Sequence, residues 1–172
     1  TDFIQSIIMT VALLFVLGFA IVEAGGWGAV MENAKELPGY ISMTASYAVE
    51  SGTATPYGAL TIFSTLAWGL GYFGMPHILL RFMAIEDENK LKVSRRVASA
   101  WVVIAMGVAV MIGISGRALS DAGILEMLAG SDTETIIIRI SDYMSGFGAF
   151  FALMAGLVMS GILASTMSTA DS

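Results

Sequence analysis

The sequence predicts an all-α membrane protein with four membrane-spanning helices. Hydrophobic residues make up 56% of the chain, the mean hydropathy is +0.80 and only 13% of residues are charged, which is about half the share in soluble domains. The charged residues also leave four long apolar stretches, each long enough to cross about 30 Å of hydrocarbon. The alternative of a soluble protein with buried helices is disfavoured because such helices seldom run this far without a charge. The predicted spans are 3–24, 58–82, 97–116 and 144–170.

The distribution of charge predicts how these helices are oriented. Five of the eight Lys and Arg residues lie between residues 81 and 96, and the positive-inside rule places such a segment in the cytoplasm. We therefore expect a cytoplasmic loop at 83–96 and outer connections at 25–57 and 117–143. The chain opens without an initiator Met and stops within an apolar pattern, so we expect a single transmembrane fragment of a larger protein.

The two outer connections are expected to contain short elements. Prolines and glycines interrupt the first connection, and we expect a short helix between them within 37–57. In the second, residues 133–144 are expected to form a short helix with Asp132 or Thr133 as its N-cap.

Several function classes are excluded by the residues that the chain lacks. It has no cysteine, which excludes a thiol nucleophile or a thiolate metal site. We find no metal-ligand spacing, nucleophile elbow or phosphate-binding loop. The sequence therefore predicts neither an enzyme nor a nucleic-acid-binding protein.

The stretch Trp68–Ala84 (WGLGYFGMPHILLRFMA) combines an apolar character with three glycines, a proline, a histidine and an arginine. Pro76 has no N–H, so the carbonyl of Tyr72 should lose its helical partner. A break at membrane depth is tolerated only where the freed groups face protein, water or a ligand. This segment is therefore predicted to form the wall of a transport site.

One face of this broken helix carries the candidate solute-binding residues. Trp68, Tyr72 and Pro76 follow each other at intervals of four and so share a face, which suits a small amphiphilic solute; ordinary packing around a proline kink is an equal alternative. For His77, hydrogen-bonded packing is favoured over a proton relay. For Arg81, a side chain that reaches the headgroups is slightly favoured over a gating ion pair.

The last helix ends in a stripe of hydroxyl groups. Ser165, Ser168, Thr169 and Ser172 follow the pattern i, i+3, i+4, i+7, and neutral oxygens of this kind suit Na⁺, a hard cation. The alternative is that each hydroxyl donates a hydrogen bond to its own i−4 carbonyl.

Two carboxylates favour the cation site over this alternative. Asp171 follows the stripe, and an acid in a membrane-embedded segment is a functional candidate by default. Asp2 precedes the first span and is expected on the same side of the membrane. A solvent-exposed acid at the helix N-terminus, stabilised by the helix dipole, remains the alternative for Asp2.

Three segments resemble the sodium:solute symporter family, and among its members the sodium/proline symporters most closely. The segment WGLGYFG-x-PHIL-x-RFMA resembles their sixth core helix, TDFIQ resembles the opening of the fifth, and ILASTMSTADS resembles the ending of the eighth. The resemblance covers the whole chain. It implies a fragment of a LeuT-type transporter with a 5+5 inverted repeat, containing about core helices five to eight of ten.

The resemblance also implies roles for individual residues. Trp68, Tyr72 and Pro76 would line the proline site, and Ser168 and Thr169 would be ligands of the coupling sodium ion. In addition, the carbonyl of Ser165 would be a sodium ligand, and Asp2 matches an acid important for sodium coupling.

Two positions depart from the family pattern. Met75, beside the solute face, stands where these relatives carry Gln, which puts the solute in question. Asp171 stands where they carry a hydroxyl residue, and it could support a second cation or a proton.

The function expected from the resemblance is sodium-coupled symport of L-proline across a bacterial or archaeal plasma membrane. The expected partners are proline, Na⁺ and the lipid bilayer, without nucleic acid. Two alternatives stay open: sodium- or proton-coupled symport of another amino acid, a sugar or a vitamin, and a membrane sensor built on the same fold that does not transport.

Overall fold

The computed structural model is almost entirely helical, with one short β-hairpin between the second and third helices. It describes residues 2–72, 74–84 and 88–170. The elements in chain order are α1 (Asp2–Glu23), α2 (Trp27–Glu36), β1 (Ala45–Ala48), β2 (Thr53–Pro56), α3 (Ala59–Tyr72), α4 (Pro76–Met83), α5 (Glu88–Asp121), a 3₁₀ helix (Gly130–Thr135), α6 (Ile136–Ser145) and α7 (Ala149–Ala170).

Three helices are long and apolar enough to cross a membrane among the described residues: Gln5–Glu23, Lys90–Asp121 and Ala149–Met167. The segment predicted as a fourth span, 58–82, is divided between α3 and α4. Helix α3 alone has 14 residues, fewer than the roughly 20 that a single spanning helix needs. A crossing by α3 and α4 together stays a prediction.

The chain forms two compact units, and the first consists of Thr1–Ala34 and Ala105–Ser172. Its core contains residues from α1, α5, α6 and α7. Helix α1 buries Ala12, Val16 and Ala20, which are four residues apart and therefore share one face. Small residues on that face allow the neighbouring helix to approach closely.

The end of α1 is determined by two glycines. Gly25 and Gly26 have φ angles of 87° and 97°, in the region that other residues rarely adopt. The N–H of Gly26 donates to the carbonyl of Ile21 at 2.8 Å, which closes the last turn of the helix. The chain then enters α2, where Val30 and Ala34 are buried.

The second unit, Lys35–Ile104, contains the hairpin. The expectation of a short helix within 37–57 was wrong, because this segment forms the antiparallel strands β1 and β2. Ser46 lies opposite Thr55, and their hydroxyl oxygens are 2.8 Å apart. Gly52, with a φ of 65°, occupies the connecting turn, a conformation that favours glycine. The β-branched threonines of β2 favour a strand over a helix.

Helix α5 is longer than the span predicted at 97–116. It begins at Glu88, inside the predicted loop 83–96, and runs for 34 residues. The polar residues before Val97 extend the same helix because charged side chains are good helix formers when exposed.

The last two helices are separated by a glycine break. Helix α6 lies where the short helix 133–144 was expected, and α7 begins at Ala149 rather than at 144, after Gly148, whose φ is 126°. The predicted N-cap at Asp132 or Thr133 was also wrong: Thr135 occupies the cap position, without a side-chain capping bond. The intervening 3₁₀ turn explains this, because Thr133 and Thr135 donate their hydroxyls to carbonyls three residues back.

Candidate functional site

The break between α3 and α4 occurs where the sequence predicts it. Pro76 occupies the first position of α4 and cannot donate to Tyr72. The carbonyl of Tyr72 instead accepts a 3.3 Å hydrogen bond from the N–H of Met75, and Gly74 donates to Gly71 at 3.1 Å. The Tyr72 carbonyl thus loses its helical partner but is bonded in a tighter turn.

Met75 is the extended residue that joins the two helices. It is the N-cap of α4, with φ −74° and ψ 128°, and makes no side-chain capping bond. Its carbonyl accepts hydrogen bonds from Ile78 at 3.0 Å and Leu79 at 3.1 Å. Thioether side chains cannot cap a helix as Ser, Asp or Asn can, so the backbone alone defines this turn.

The aromatic side chains predicted to share a face do so. The rings of Trp68 and Tyr72 are 5.6 Å apart between centroids at an angle of 74°, an edge-to-face arrangement. Trp68 is 75% exposed and Tyr72 46% exposed, and α3 buries none of its residues. An apolar face of this kind is available to a ligand, lipid or further helices.

The other four predicted residues of this segment lie at the N-cap of α4 or within α4. Met75 and Pro76 at its start are both exposed. His77 and Arg81 are one helical turn apart on the backbone of α4. The side chains of these two residues lie outside the described part of the structure.

The candidate cation site depends on the packing of α1 against α7. Gly161 lies over Met9, so that a Cβ atom there would be 3.2 Å from Met9 Cγ. Phe19 contacts Phe151, with ring centroids 5.7 Å apart. Met9 and Phe19 are ten residues apart on α1, and their partners Gly161 and Phe151 are ten residues apart on α7 in the opposite order. The two helices are therefore antiparallel.

Because the helices are antiparallel, the segments that carry the predicted ligands are at the same end of the α1–α7 pair. Continued for seven residues beyond Met9, this antiparallel register places the backbone of Asp2 level with that of Ser168. Ser165 is exposed, and α7 remains helical through Ala170. The side chains of Asp2, Ser168 and Thr169 are not described, and Asp171 and Ser172 lie outside the described residues.

Neighbouring hydroxyls on α7 show the hydrogen bonds that this helix supports. Ser160 donates to the carbonyl of Gly156 at 2.7 Å, and Thr166 donates to that of Ile162 at 2.9 Å. A hydroxyl that donates its proton in this way keeps its oxygen lone pairs as acceptors. Back-bonding and cation binding are therefore compatible for hydroxyls on α7.

A polar cluster in the first unit was not recognised from the sequence. Asp121 Oδ2 accepts hydrogen bonds from Arg117 Nε and Asn33 Nδ2, both at 3.0 Å, and so connects α2 to the end of α5. The i, i+4 spacing of Arg117 and Asp121 could have indicated their pair. No local pattern points to Asn33, which is 88 residues away.

An aromatic cluster was also missed. Phe19 contacts Tyr143, Phe147 and Phe151 with ring centroids 5.2–6.2 Å apart, and Phe15 contacts Phe151 at 6.0 Å. The spacing of four residues within each set was the available signal. The cluster attaches the α6–α7 junction to α1.

The sequence of the chain matches the sodium:solute symporter family over residues 1–172. The chain belongs to the sodium:solute symporter family. It is 33% identical over 172 residues to the sodium/proline symporters of Staphylococcus aureus strains USA300 / TCH1516 and bovine RF122 / ET3-1. These alignments cover 100% of this chain and 30% of each relative. No solved structure matches the chain.

Membership of the sodium:solute symporter family confirms the resemblance seen in the sequence. Members of the family are transporters rather than enzymes, and sodium is their coupling ion. Together with the three long apolar helices, the family identifies an integral membrane protein.

Proposed function

We propose that this chain is part of a sodium-coupled symporter that carries L-proline by alternating access. The observation that carries the proposal is the break at Tyr72–Pro76 beside an exposed aromatic face. Discontinuous helices of this kind form substrate sites in transporters. The similarity to sodium/proline symporters supports proline as the solute.

The chemistry of the break suits a zwitterionic amino acid. The C-terminal end of α3 carries partial negative charge, and the N-terminal end of α4 carries partial positive charge. Three residues separate these ends, so an ammonium group and a carboxylate could be recognised by the same short segment. The rings of Trp68 and Tyr72 would contact the hydrocarbon part of proline, with Met75 and Pro76 completing this face.

We assign sodium binding to the end of α7. The ligands would be the carbonyl of Ser165 and the hydroxyls of Ser168 and Thr169, with Asp2 and Asp171 supplying negative charge. The antiparallel register of α1 and α7 supports this assignment, because it puts Asp2 level with Ser168. Sodium bound there would stabilise the outward-open state before the solute binds.

We further infer a LeuT-type architecture in which α1, α3–α4, α5 and α7 are core helices five to eight. The break in α3–α4 corresponds to the discontinuous sixth helix of that fold. In this arrangement the segment 83–96 faces the cytoplasm and the membrane is the plasma membrane. His77 and Arg81 would then lie toward the inner side, in gating or packing roles.

Uptake by the full-length protein in liposomes tests the function. An inward sodium gradient should drive accumulation of labelled proline, and an equal potassium gradient should not. Accumulation that does not depend on sodium would overturn the proposal. Competition by other amino acids, sugars and vitamins tests the identity of the solute. This test is needed because Met75, next to the aromatic face, stands where the sodium/proline symporters carry Gln.

A matched pair of variants tests the sodium site. Thr169→Ala should raise the sodium concentration for half-maximal uptake by about tenfold or more, because it removes one neutral ligand of a hard cation. Thr166→Ala, which removes a hydroxyl bonded to Ile162, should leave it nearly unchanged. An unchanged sodium dependence in a well-expressed Thr169→Ala protein would remove this site.

A further inference from the structure

The start of α5 carries a basic surface that the proposed transport sites do not use. We propose that Lys92, Arg95 and Arg96 bind the phosphate groups of anionic phospholipids. All three side chains are exposed, and none of them forms an ion pair within the described residues. This interaction depends on insertion in a membrane and not on the identity of the solute.

The three cations lie on one side of the helix. Their spacing is i, i+3, i+4, which brings side chains onto neighbouring positions of one face. Arginine offers a planar group that can donate two hydrogen bonds to one phosphate, and lysine adds a point charge. The three together form a compact surface of positive charge, which we call the basic face.

The length of α5 places the basic face at the membrane boundary. A helix of 34 residues is about 50 Å long, so it exceeds the hydrocarbon thickness of about 30 Å by roughly 20 Å. The charge-free run begins at Val97, directly after Arg96. The basic face therefore lies where the helix leaves the hydrocarbon and meets the headgroups.

A tryptophan marks the same boundary from the apolar side. Trp101 is 43% exposed and follows Arg96 by five residues, which is about 7.5 Å deeper along the helix. Tryptophan is enriched at this level of the bilayer because its ring is apolar and its N–H is polar. The cations and the indole thus match successive layers of a phospholipid.

The acidic residues of this segment come before the cations in the sequence. Glu86, Asp87 and Glu88 all precede Lys92 in the sequence. Glu88 is the first residue of α5, about 12 Å along the axis from Arg96. Positive charge therefore increases toward the apolar run, which favours an anion at the bilayer surface.

The proposal predicts a preference for phosphatidylglycerol over phosphatidylcholine. One Lys or Arg near an anionic surface contributes about 1 kcal/mol, which corresponds to about fivefold in binding. In mixed nanodiscs containing the full-length protein, R95Q/R96Q removes two such cations and should lower the ratio of retained phosphatidylglycerol to phosphatidylcholine by about 25-fold. Native mass spectrometry of the released protein measures this ratio.

Two variants separate the basic face from overall charge. K35Q/R139Q also removes two exposed cations but none from the basic face, and it should keep the preference. R95K/R96K keeps both charges and should retain most of it. Equal losses in R95Q/R96Q and K35Q/R139Q would overturn the proposal, because the effect would then follow net charge.

Two measurements on the unmodified protein keep the test independent of whether the variants fold. Added salt should weaken the phosphatidylglycerol preference, because salt screens exposed charges; a salt-independent preference would contradict the proposal. Inorganic phosphate at the same concentration as the lipid should not displace it. Complete displacement would show that the ligand is free phosphate rather than a lipid headgroup.

Discussion

The packed pair α1–α7 and the broken pair α3–α4 are both apolar, but different contacts maintain their structures. Val16 of α1 has no exposed surface, and Phe15 and Phe19 contact rings of the α6–α7 segment. In contrast, α3 buries none of its residues, and its end is shaped by hydrogen bonds within five residues of Pro76. Contacts between distant residues thus determine the structure of α1–α7, whereas the missing N–H of Pro76 and the nearby turn determine the structure of α3–α4.

This difference separates structural from functional roles. A helix defined by its neighbours tolerates few changes on its buried face, because a packed interior has little free volume. A helix defined by a proline and nearby glycines keeps its shape while its side chains remain available to a ligand. We therefore expect changes in the first pair to affect stability and changes in the second to affect transport.

The largest expected effect comes from the same substitution placed in the packed core of the first unit, which includes α1 and α7, and on the exposed helix α3. Leu119→Ala removes a side chain of the first unit that is fully buried and should lower the free energy of unfolding by roughly 2–5 kcal/mol. Leu66→Ala on α3, where Leu66 is 67% exposed, should change it by less than about 0.5 kcal/mol. Denaturant unfolding of the chain in detergent micelles measures both.

Equal losses for Leu119→Ala and Leu66→Ala would contradict the comparison. They would mean that the exposed face of α3 packs against protein as tightly as the core of the first unit does.

A substitution on the aromatic face should affect transport rather than folding. Trp68→Ala should raise the KM for proline by roughly tenfold to a hundredfold, since burial of a large apolar side chain contributes about 1.5–3 kcal/mol. Trp68→Phe should recover part of this loss. Trp27→Ala removes a tryptophan of α2 that is 48% exposed and serves as the control, with an unchanged KM.

If Trp68→Ala lowers the thermal stability of the protein and leaves KM unaltered, the aromatic face is a packing surface. The proposed solute site would then have to be moved to other residues.

The smallest expected effects distinguish two glycines inside the first unit. A Cβ atom at Gly116 would clash with Ile136 Cγ1 and lie 2.8 Å from its Cδ1, so Gly116→Ala should cost about 1–3 kcal/mol. At Gly161 the nearest atom is Met9 Cγ at 3.2 Å, and a methionine side chain can adjust. Gly161→Ala should therefore cost less than about 1 kcal/mol in the same unfolding experiment.

A larger loss for Gly161→Ala than for Gly116→Ala would show that α1 and α7 cannot move apart. The register used to place Asp2 level with Ser168 would then be more tightly constrained than the contact of α5 with α6.

The features that the sequence predicts correctly depend on neighbouring residues. The break before Pro76 follows from the missing N–H of proline, and the shared face of Trp68 and Tyr72 follows from helical spacing. The hairpin at residues 45–56 was missed because each strand has only four residues, the shortest length over which alternation of apolar and polar residues identifies a strand. The hydroxyl pair Ser46 and Thr55 connects the strands but gives no signal in the sequence of either one.

Contacts between distant segments could not be predicted in the same way. Nothing near Gly161 indicates that Met9 lies beneath it, and nothing near Asn33 indicates its bond to Asp121. Such pairs depend on how whole helices pack, and a single sequence contains no direct record of that packing. The sodium ligands therefore remain a proposal that the helix register supports, whereas the break itself is a structural observation.

The proline at the start of α4 has one further consequence. A hydrogen bond that is merely unfavourable can form again when the surroundings change, but Pro76 has no proton to donate in any state of the protein. In every arrangement of α3 and α4 the Tyr72 carbonyl therefore lacks a hydrogen bond from residue 76, and the helix stays kinked or broken there. The chain therefore carries its point of articulation in its covalent structure, and no ligand has to create it.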